Sequence, residues 1–359
     1  MDTQQLNSKD GERGMIMILM AIAIVALIGA GSLAVDIGSA LVTKSELQNV
    51  ADASALAGTR QLAEHYEGCP QEISKTLGST GCTPPGEQPP LTGIPAKAIE
   101  YASKNKAGGI SISVANSGDV CLGHYIGGMS CPDLDKVRMV RVTSRRDGTS
   151  NGVLPTRLAT VLGINNISVR ATTSAALTPI GKLQGGQGGF PIAISKMWFD
   201  THVCGAGDPI VLFPTDSTSC ASWHTFDSKP SNAAKLRNQV DGIKNGTYSS
   251  PVTIAGKTFY EFIGGNAETA CSNLRDLYMA KKVGAIMEAN IPVYEGGCEN
   301  ANQAKLIIGF VKAQVKGVKC APSPELQVTV ECGIVGEEVG EGGGANDYGL
   351  LASSPSVVD

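Results

Sequence analysis

The ten cysteines carry the strongest chemical signature in this 359-residue chain: Cys69, Cys82, Cys121, Cys131, Cys204, Cys220, Cys271, Cys298, Cys320 and Cys332. An even number, widely spaced, reads as a disulfide set formed in an oxidising compartment. The simplest map pairs neighbours, 69–82, 121–131, 204–220, 271–298 and 320–332, because short loops close easily. The last pair conflicts with geometry. If Cys320 sits at a hairpin turn, Cys332 lies several residues up the returning strand, and at about 3.4 Å per residue that exceeds disulfide reach. One metal-like set competes with this map, His202-Val203-Cys204 together with Cys220-x-x-x-His224. Two histidines and two cysteines suit zinc. The spacing matches no standard finger, however, and a Cys204–Cys220 disulfide is the stronger reading, so no metal is assigned.

Other chemistry is sparse. Four histidines, with no HExxH or CxxC string, leave no recognisable catalytic triad or zinc-hydrolase pattern. The run Gly181–Gly189 (GKLQGGQGG) fits neither a Walker loop nor a dinucleotide fingerprint and reads as a flexible linker or wide turn. Asn166-Ile167-Ser168 and Asn245-Gly246-Thr247 match a glycosylation sequon without further support. No catalytic residue and no cofactor is assigned, and the expectation is a non-enzyme. A net charge of −4 and 5% aromatic residues argue against nucleic acid as a partner.

The elements that hold these residues begin with one apolar segment. Met15 to Val35 (MIMILMAIAIVALIGAGSLAV) carries no charge. At about 1.5 Å per residue it covers the hydrocarbon core of a bilayer, so the lipid bilayer is the first expected partner. It exceeds the apolar core of a common secretory signal, which is the alternative reading. Lys9 and Arg13 precede it, favouring a cytoplasmic N-terminus (residues 1–14). All ten cysteines follow it, which places the rest of the chain on the oxidising side. Gly29, Gly31 and Ser32 near its outer end allow close helix packing in lipid, hence a helix-mediated oligomer; ordinary span composition accounts for them equally well. Asp36, just past the span, reads as an interface marker rather than a functional intramembrane carboxylate.

Helical periodicity continues beyond the span. Ile37, Ala40, Leu47, Ala51, Ala55, Gly58 and Leu62 share one face, with Lys44, Gln48 and Asp52 as a polar flank, and no proline occurs between residues 15 and 69. One helix is therefore expected from the bilayer to about residue 65, its small-residue face against a sheet. Glu12-Arg13-Gly14, the span, Ala34-Val35-Asp36-Ile37-Gly38 and Leu47-Gln48-Asn49-Val50-Ala51-Asp52-Ala53-Ser54-Ala55-Leu56-Ala57-Gly58 together resemble the N-terminus of TadE/TadG-like proteins. A looser resemblance runs to about residue 180 through Val137–Val142, Leu158–Ile164 and Ile167–Ala175. The resemblance implies a bacterial inner-membrane protein of Flp-type (tight adherence) pilus assembly, partnered by other pilus or envelope proteins. Two departures limit it. The fifth residue after Gly14 is Leu19, not the glutamate of pilin processing. The string Asp216-Ser217-Thr218-Ser219-Cys220 lacks the metal-site pattern of the larger TadG proteins, so no ligand is carried over.

The rest of the chain divides at the glycine run. Residues 36–180 are expected to form a small α+β unit: a loop over 66–93 stapled at Cys69 and Cys82, a short helix over 94–106, strands at 110–114, 137–145 and 167–177, and a helix over 154–162. Residues 190–359 are expected to be mostly β and disulfide-bonded. Strands are read at 190–199, 208–213 and 285–294, a hairpin over 251–259, a long hairpin from 305–315 to 326–331, and a helix at 231–244. Gly336–Gly344 reads as a loop, and Leu350-Leu351 with Val357-Val358 as a returning edge strand. The fold class is α+β, a long transmembrane-plus-amphipathic helix packed on a small sheet and followed by a mostly β extracytoplasmic domain. The function implied is structural or assembly work in Flp-type pilus biogenesis, surface attachment or secretion. The alternatives are an anchored or shed ligand-binding protein, a released adhesin, or a hydrolase.

Overall fold

The computed structural model describes residues 4–69, 72, 75–124, 130–201, 210–212, 220–226, 231–263, 268–298, 303–320, 325–331, 334–336 and 340–358. With no proline to break its hydrogen-bond ladder, a single helix α1 runs Gln4–Gly68. Its outer half turns Leu47, Val50, Ala51, Ser54, Ala55, Leu62, Ala63 and Tyr66 inward, all buried, at the helical spacing of one packed face. Ala40 is partly buried, but Ile37 is exposed, so the packed stripe begins later than its sequence spacing suggests. Helix α2 (Pro90–Ser103) lies beside α1 and buries Ile94, Ala98 and Ala102. Gly58 allows this three-way approach, because a Cβ there would stand 3.0 Å from Val140 Cγ1 and 3.3 Å from Ala98 Cβ.

The sheet under α1 contains β1 (Val120–Gly123), β2 (Met139–Arg146) and β3 (Val169–Ala176). β2 pairs antiparallel with both neighbours, from Met139↔Ala176 to Arg146↔Val169 on the β3 side. Its alternation sends Val140, Val142 and Ser144 inward, all buried, as the period-2 reading anticipates. The fourth strand comes from the far end of the chain, where Ser356–Val358 pairs with Ala176–Ser174. The expected returning edge strand thus exists, and it joins the N-terminal sheet.

The expected helix over 154–162 is not formed. Leu154–Pro155 pairs with Asn166–Ile167, and only Ala159–Leu162 makes a 3-10 turn, closed by Gly163 at φ 82°. Pro155 has no N–H to give a helix. The Thr156 amide instead donates to Asn165 O, and the amides of 157, 158 and 159 go to the Asp36 carboxylate on α1.

In the second unit, β4 (Ile180–Leu183) draws the first part of the glycine run into a buried-edged strand. Then follow β5 (Ile192–Ser195), β6 (Ile210–Leu212), β7 (Ala221–Thr225), α3 (Ala233–Asn245), β8 (Thr253–Ile254), β9 (Phe259–Phe262), α4 (Glu268–Lys281), β10 (Met287–Tyr294), β11 (Ala304–Lys319), β12 (Glu325–Glu331) and β13 (Glu341–Gly342). The pairings β11–β9–β7–β5–β10–β11 close a ring, with β12 and β6 extending from β11. The long hairpin β11–β12 is present. The expected 251–259 hairpin is not. β8 pairs with β4, whereas β9 pairs with β7 and β11, so Ala255–Thr258 carries the chain from one sheet to another. The strand read over 190–199 ends at Ser195, where a short helix Lys196–Thr201 begins. Ile192, Ile194, Trp223, Ile291, Val293, Val311 and, on β12, Val328 form one buried cluster with Leu236 and Val240 of α3 and Leu274 and Leu277 of α4, while Ala193, Tyr260, Phe262, Tyr294 and Phe310 of the ring strands belong to a second cluster.

Candidate functional site: the long apolar helix and its seat

Cys69–Cys82 and Cys121–Cys131 are formed as neighbour pairing anticipates. The next two are not. Cys220 bonds Cys298 and Cys271 bonds Cys320, which overturns the 204–220, 271–298 and 320–332 pairs. The reason is topological. Cys220 opens β7 and Cys298 follows β10, both of which pair with β5, while α4 packs its first turn on the end of β11, next to Cys320. Cys204, Cys332 and His202 lie outside the described residues, as do residues 216–219 of the string compared with a metal site.

The zinc set cannot assemble as read from the sequence. Cys220 is spent in its disulfide, and His224 is fully buried. The His224 ring stacks on Tyr260 at 4.6 Å and meets Phe226 edge-on at 4.9 Å. Burial pushes its pKa down to about 3, so it is neutral at physiological pH. Among the described residues no group of three or more His, Cys, Asp or Glu is placed to hold a metal. A cleft of about 360 Å³ lies where β4, β8 and β13 meet, lined by Lys182, Lys257, Glu341, Asn346 and the Gly342–Gly344 backbone. Lys182 Nζ donates to Glu341 Oε1 at 2.7 Å across its rim.

The helix offers more. From Met15 to Ile28 the side chains of α1 are exposed, and the segment is long and apolar enough to cross a membrane. Around Gly29 and Gly31 the space a Cβ would take is open, and Ser32 Oγ donates back to Ile28 O at 2.6 Å. Asp36 then turns inward, only 3% exposed. Its carboxylate accepts three backbone amides from across the fold: Arg157 N at 2.8 Å, Leu158 N at 3.0 Å and Ala159 N at 2.6 Å. These amides, Arg157's foremost, hold the Asp36 carboxyl below the ordinary aspartate range. Both oxygens of this buried carboxylate are thereby hydrogen-bonded.

Further up the helix the seat is polar at its edges. Ser144 Oγ donates to Leu47 O at 2.7 Å, and Thr59 Oγ1 to Ala175 O at 3.0 Å. The flank residues Gln48 and Asp52 converge on Thr173: Gln48 Nε2 donates to Thr173 Oγ1 at 2.6 Å, and Thr173 Oγ1 donates to Asp52 Oδ1. Tyr66 Oη donates to Val137 O at 2.6 Å. At the C-terminus of α1, buried His65 and Glu72 meet at 2.8 Å. Burial alone would raise the Glu72 carboxyl, but hydrogen bonds from Thr80, His65 and the Gly78 and Thr80 amides outweigh it and hold the group low. The Cys69–Cys82 disulfide closes the same turn.

The residues that make both the span and the seat are the ones with a known likeness. Residues 14–61 match the Tad family model, described as "Putative Flp pilus-assembly TadE/G-like". Over these residues the N-terminal region is similar to that family. No curated protein and no solved structure matches the chain. The matched segment stops between Gly58 and Leu62 on the packed face. It therefore contains Asp36, Gln48, Asp52 and Thr59, which bond to strands and loops more than a hundred residues away. The sequence marks Gln48 and Asp52 as a polar flank and Asp36 as an interface residue without naming their partners, and it does not single out Thr59. The one local hint is Pro155, which removes a helix start just before the amides that Asp36 takes.

Proposed function

We propose that this chain is a single-pass inner-membrane protein whose C-terminal part lies in the periplasm and does structural or assembly work in Flp-type pilus biogenesis. The carrying observation is the coincidence of the TadE/G-like match with the apolar span and the docked helix. The orientation is supported by the disulfides at Cys69–Cys82, Cys121–Cys131, Cys220–Cys298 and Cys271–Cys320, which belong on an oxidising side. In this reading α1 holds the folded part against the membrane, and the β-rich unit contacts other pilus or envelope proteins. The open space around Gly29 and Gly31 supports a neighbouring helix in lipid, whereas Ser32, of the same proposed set, is buried within this chain. No catalytic step is assigned to the chain.

Photo-crosslinking in cells from exposed positions on the β-rich unit, such as Val252 or Val283, tests the reading when the captured proteins are identified by mass spectrometry. Flp pilus components among them support it. Recovery of only unrelated lipoproteins or envelope polysaccharide overturns it. Release of the β-rich unit into the medium after N-terminal processing favours a shed protein instead.

A further inference from the structure

The connection between β2 and β3 sits at the membrane end of the folded part. β2 runs down the helix, since Val140 lies against Gly58 whereas Ser144 bonds Leu47. β3 runs back up, since Thr173 meets Asp52 and Ala175 meets Thr59. Their connection is therefore the lowest point of the sheet, and Asp36 clasps it at the amides of 157–159. Leu158 and Ile164 on this connection are 42% and 45% exposed. Ile164 is tied to the same turn, its N–H donating to Ala159 O at 3.1 Å and its carbonyl accepting from Thr156 Oγ1. Arg157 is exposed beside them.

The helix surface at this level is also apolar. Val35, Ile37, Leu41 and Val42 are exposed, and the next charge in the chain is Lys44. Asp36 is the one charge between Arg13 and Lys44, and it faces the protein, not the surroundings. Surface presented without charge thus continues past the span, and Leu158 and Ile164 widen it. Water gains nothing from such a belt, whereas an interfacial bilayer zone accommodates it, with the basic Arg157 suited to lipid phosphates.

We infer that the Asp36-clasped connection 156–165 is a second membrane contact, with Leu158 and Ile164 seated in the lipid interface beside the point where α1 leaves the bilayer. The inference rests on the anchor reading above. It makes the fold sit on the membrane with a fixed face down instead of standing off on a free stem.

The full chain, reconstituted one copy per nanodisc of phosphatidylethanolamine and phosphatidylglycerol, tests this with single tryptophans at Leu158, Ile164, Leu27 and Val283. The native Trp198 and Trp223 are buried and give a constant background. Lipids brominated near the headgroup should quench L158W and I164W, while V283W, at an 86% exposed site, keeps its emission and responds to aqueous iodide. Asp36→Asn should reduce the quenching of L158W. Quenching at 158 and 164 no greater than at 283, with L27W still quenched, overturns the inference and leaves the anchor intact. Absence of quenching in L27W as well overturns the anchor reading itself. A blue shift at 158 or 164 without bromolipid quenching means that protein, not lipid, covers the site, and also overturns the inference.

Discussion

The closeness of α1 to its sheet can be tested at Gly58, where two effects oppose each other. Replacing a helix-interior glycine by alanine stabilises a helix by about 1 kcal/mol when space is free. Here the new methyl would stand 3.0 Å from Val140 Cγ1 and 3.3 Å from Ala98 Cβ, both on packed elements. Val140 and Ala98 are fully buried, so neither can swing into solvent. Overpacking of this kind costs about 1–3 kcal/mol. The difference predicts that Gly58→Ala is neutral to about 2 kcal/mol destabilising, and that Gly58→Leu, with three more carbons to place, is worse. The Val140→Ala background removes the nearer obstacle and should return the propensity gain, so Gly58→Ala becomes stabilising there. Chemical denaturation of the full chain in detergent, followed by the circular dichroism of the folded part, measures all four corners of that double-mutant cycle. A Gly58→Ala protein about 1 kcal/mol more stable than the parent, with no coupling to Val140, would refute the close approach.

Three further outcomes follow from the same contacts. Asp36→Asn loses the carboxylate oxygen that accepts Leu158 and Ala159, and hydrogen bonds to charged groups contribute about 1.5–3 kcal/mol each. Amides 157–159 should then exchange with deuterium roughly tenfold faster or more, while β2 and β3 amides hold; uniform acceleration everywhere would show a global effect instead. Non-reducing peptide mapping should recover Cys220–Cys298 and Cys271–Cys320, and loss of the second by paired alanine substitution should cost about 4 kcal/mol on loop-closure grounds; a Cys271–Cys298 peptide contradicts the fold. His224 titrates lower in the folded chain, at about 3, than in the unfolded chain, near 6.5. The unfolded state therefore binds its proton first, and the stability from this group is complete above pH 6.5 and drains as pH falls towards 3. Between pH 6 and 4.5 the loss is about 2 kcal/mol, a slope that His224→Phe should flatten. Asp36 and Glu72, whose carboxyls are held low, add their losses at still lower pH.

What could be read from residues alone follows from range. The span and the docked helix are local: an uncharged run, an unbroken 3.6-residue period and the absence of proline suffice for α1. The alternation from Val137 to Arg145 and the pairing of β11 with β12 are also local, and both are present. Periodicity also carries α4, where Ala270, Leu274, Leu277 and Tyr278 recur at helical spacing and are buried, although the segment is not singled out as a helix from its composition. Partners across long separations are a different matter. Nothing near Asp36 announces residues 157–159, and nothing near Cys220 announces Cys298, because closure of the ring through β5 brings them together. The misread helix at 154–162 shows the two ranges in conflict: apolar spacing favours a helix, but Pro155 and a carboxylate from α1 take over its first turn.

The arrangement makes the span and the folded part a single mechanical body. From Asp36 to Gly68, α1 extends about 48 Å at 1.5 Å per residue, and its hydrogen-bond ladder is continuous with that of the span. It is bonded to the sheet near the bottom at Asp36, in the middle at Leu47, Gln48, Asp52 and Thr59, and at the top through Tyr66. The second unit is tied to the same body through Val357–Val358 on β3, Arg60 to Ser353 O and the Arg138–Asp347 ion pair. A tilt or rotation of the span therefore moves the β-rich unit with it. That coupling suits the anchor role proposed above, in which the span sets the orientation of the folded part. On the proposed lipid contact of Leu158 and Ile164, the lower end of the sheet would give this lever a fixed foot.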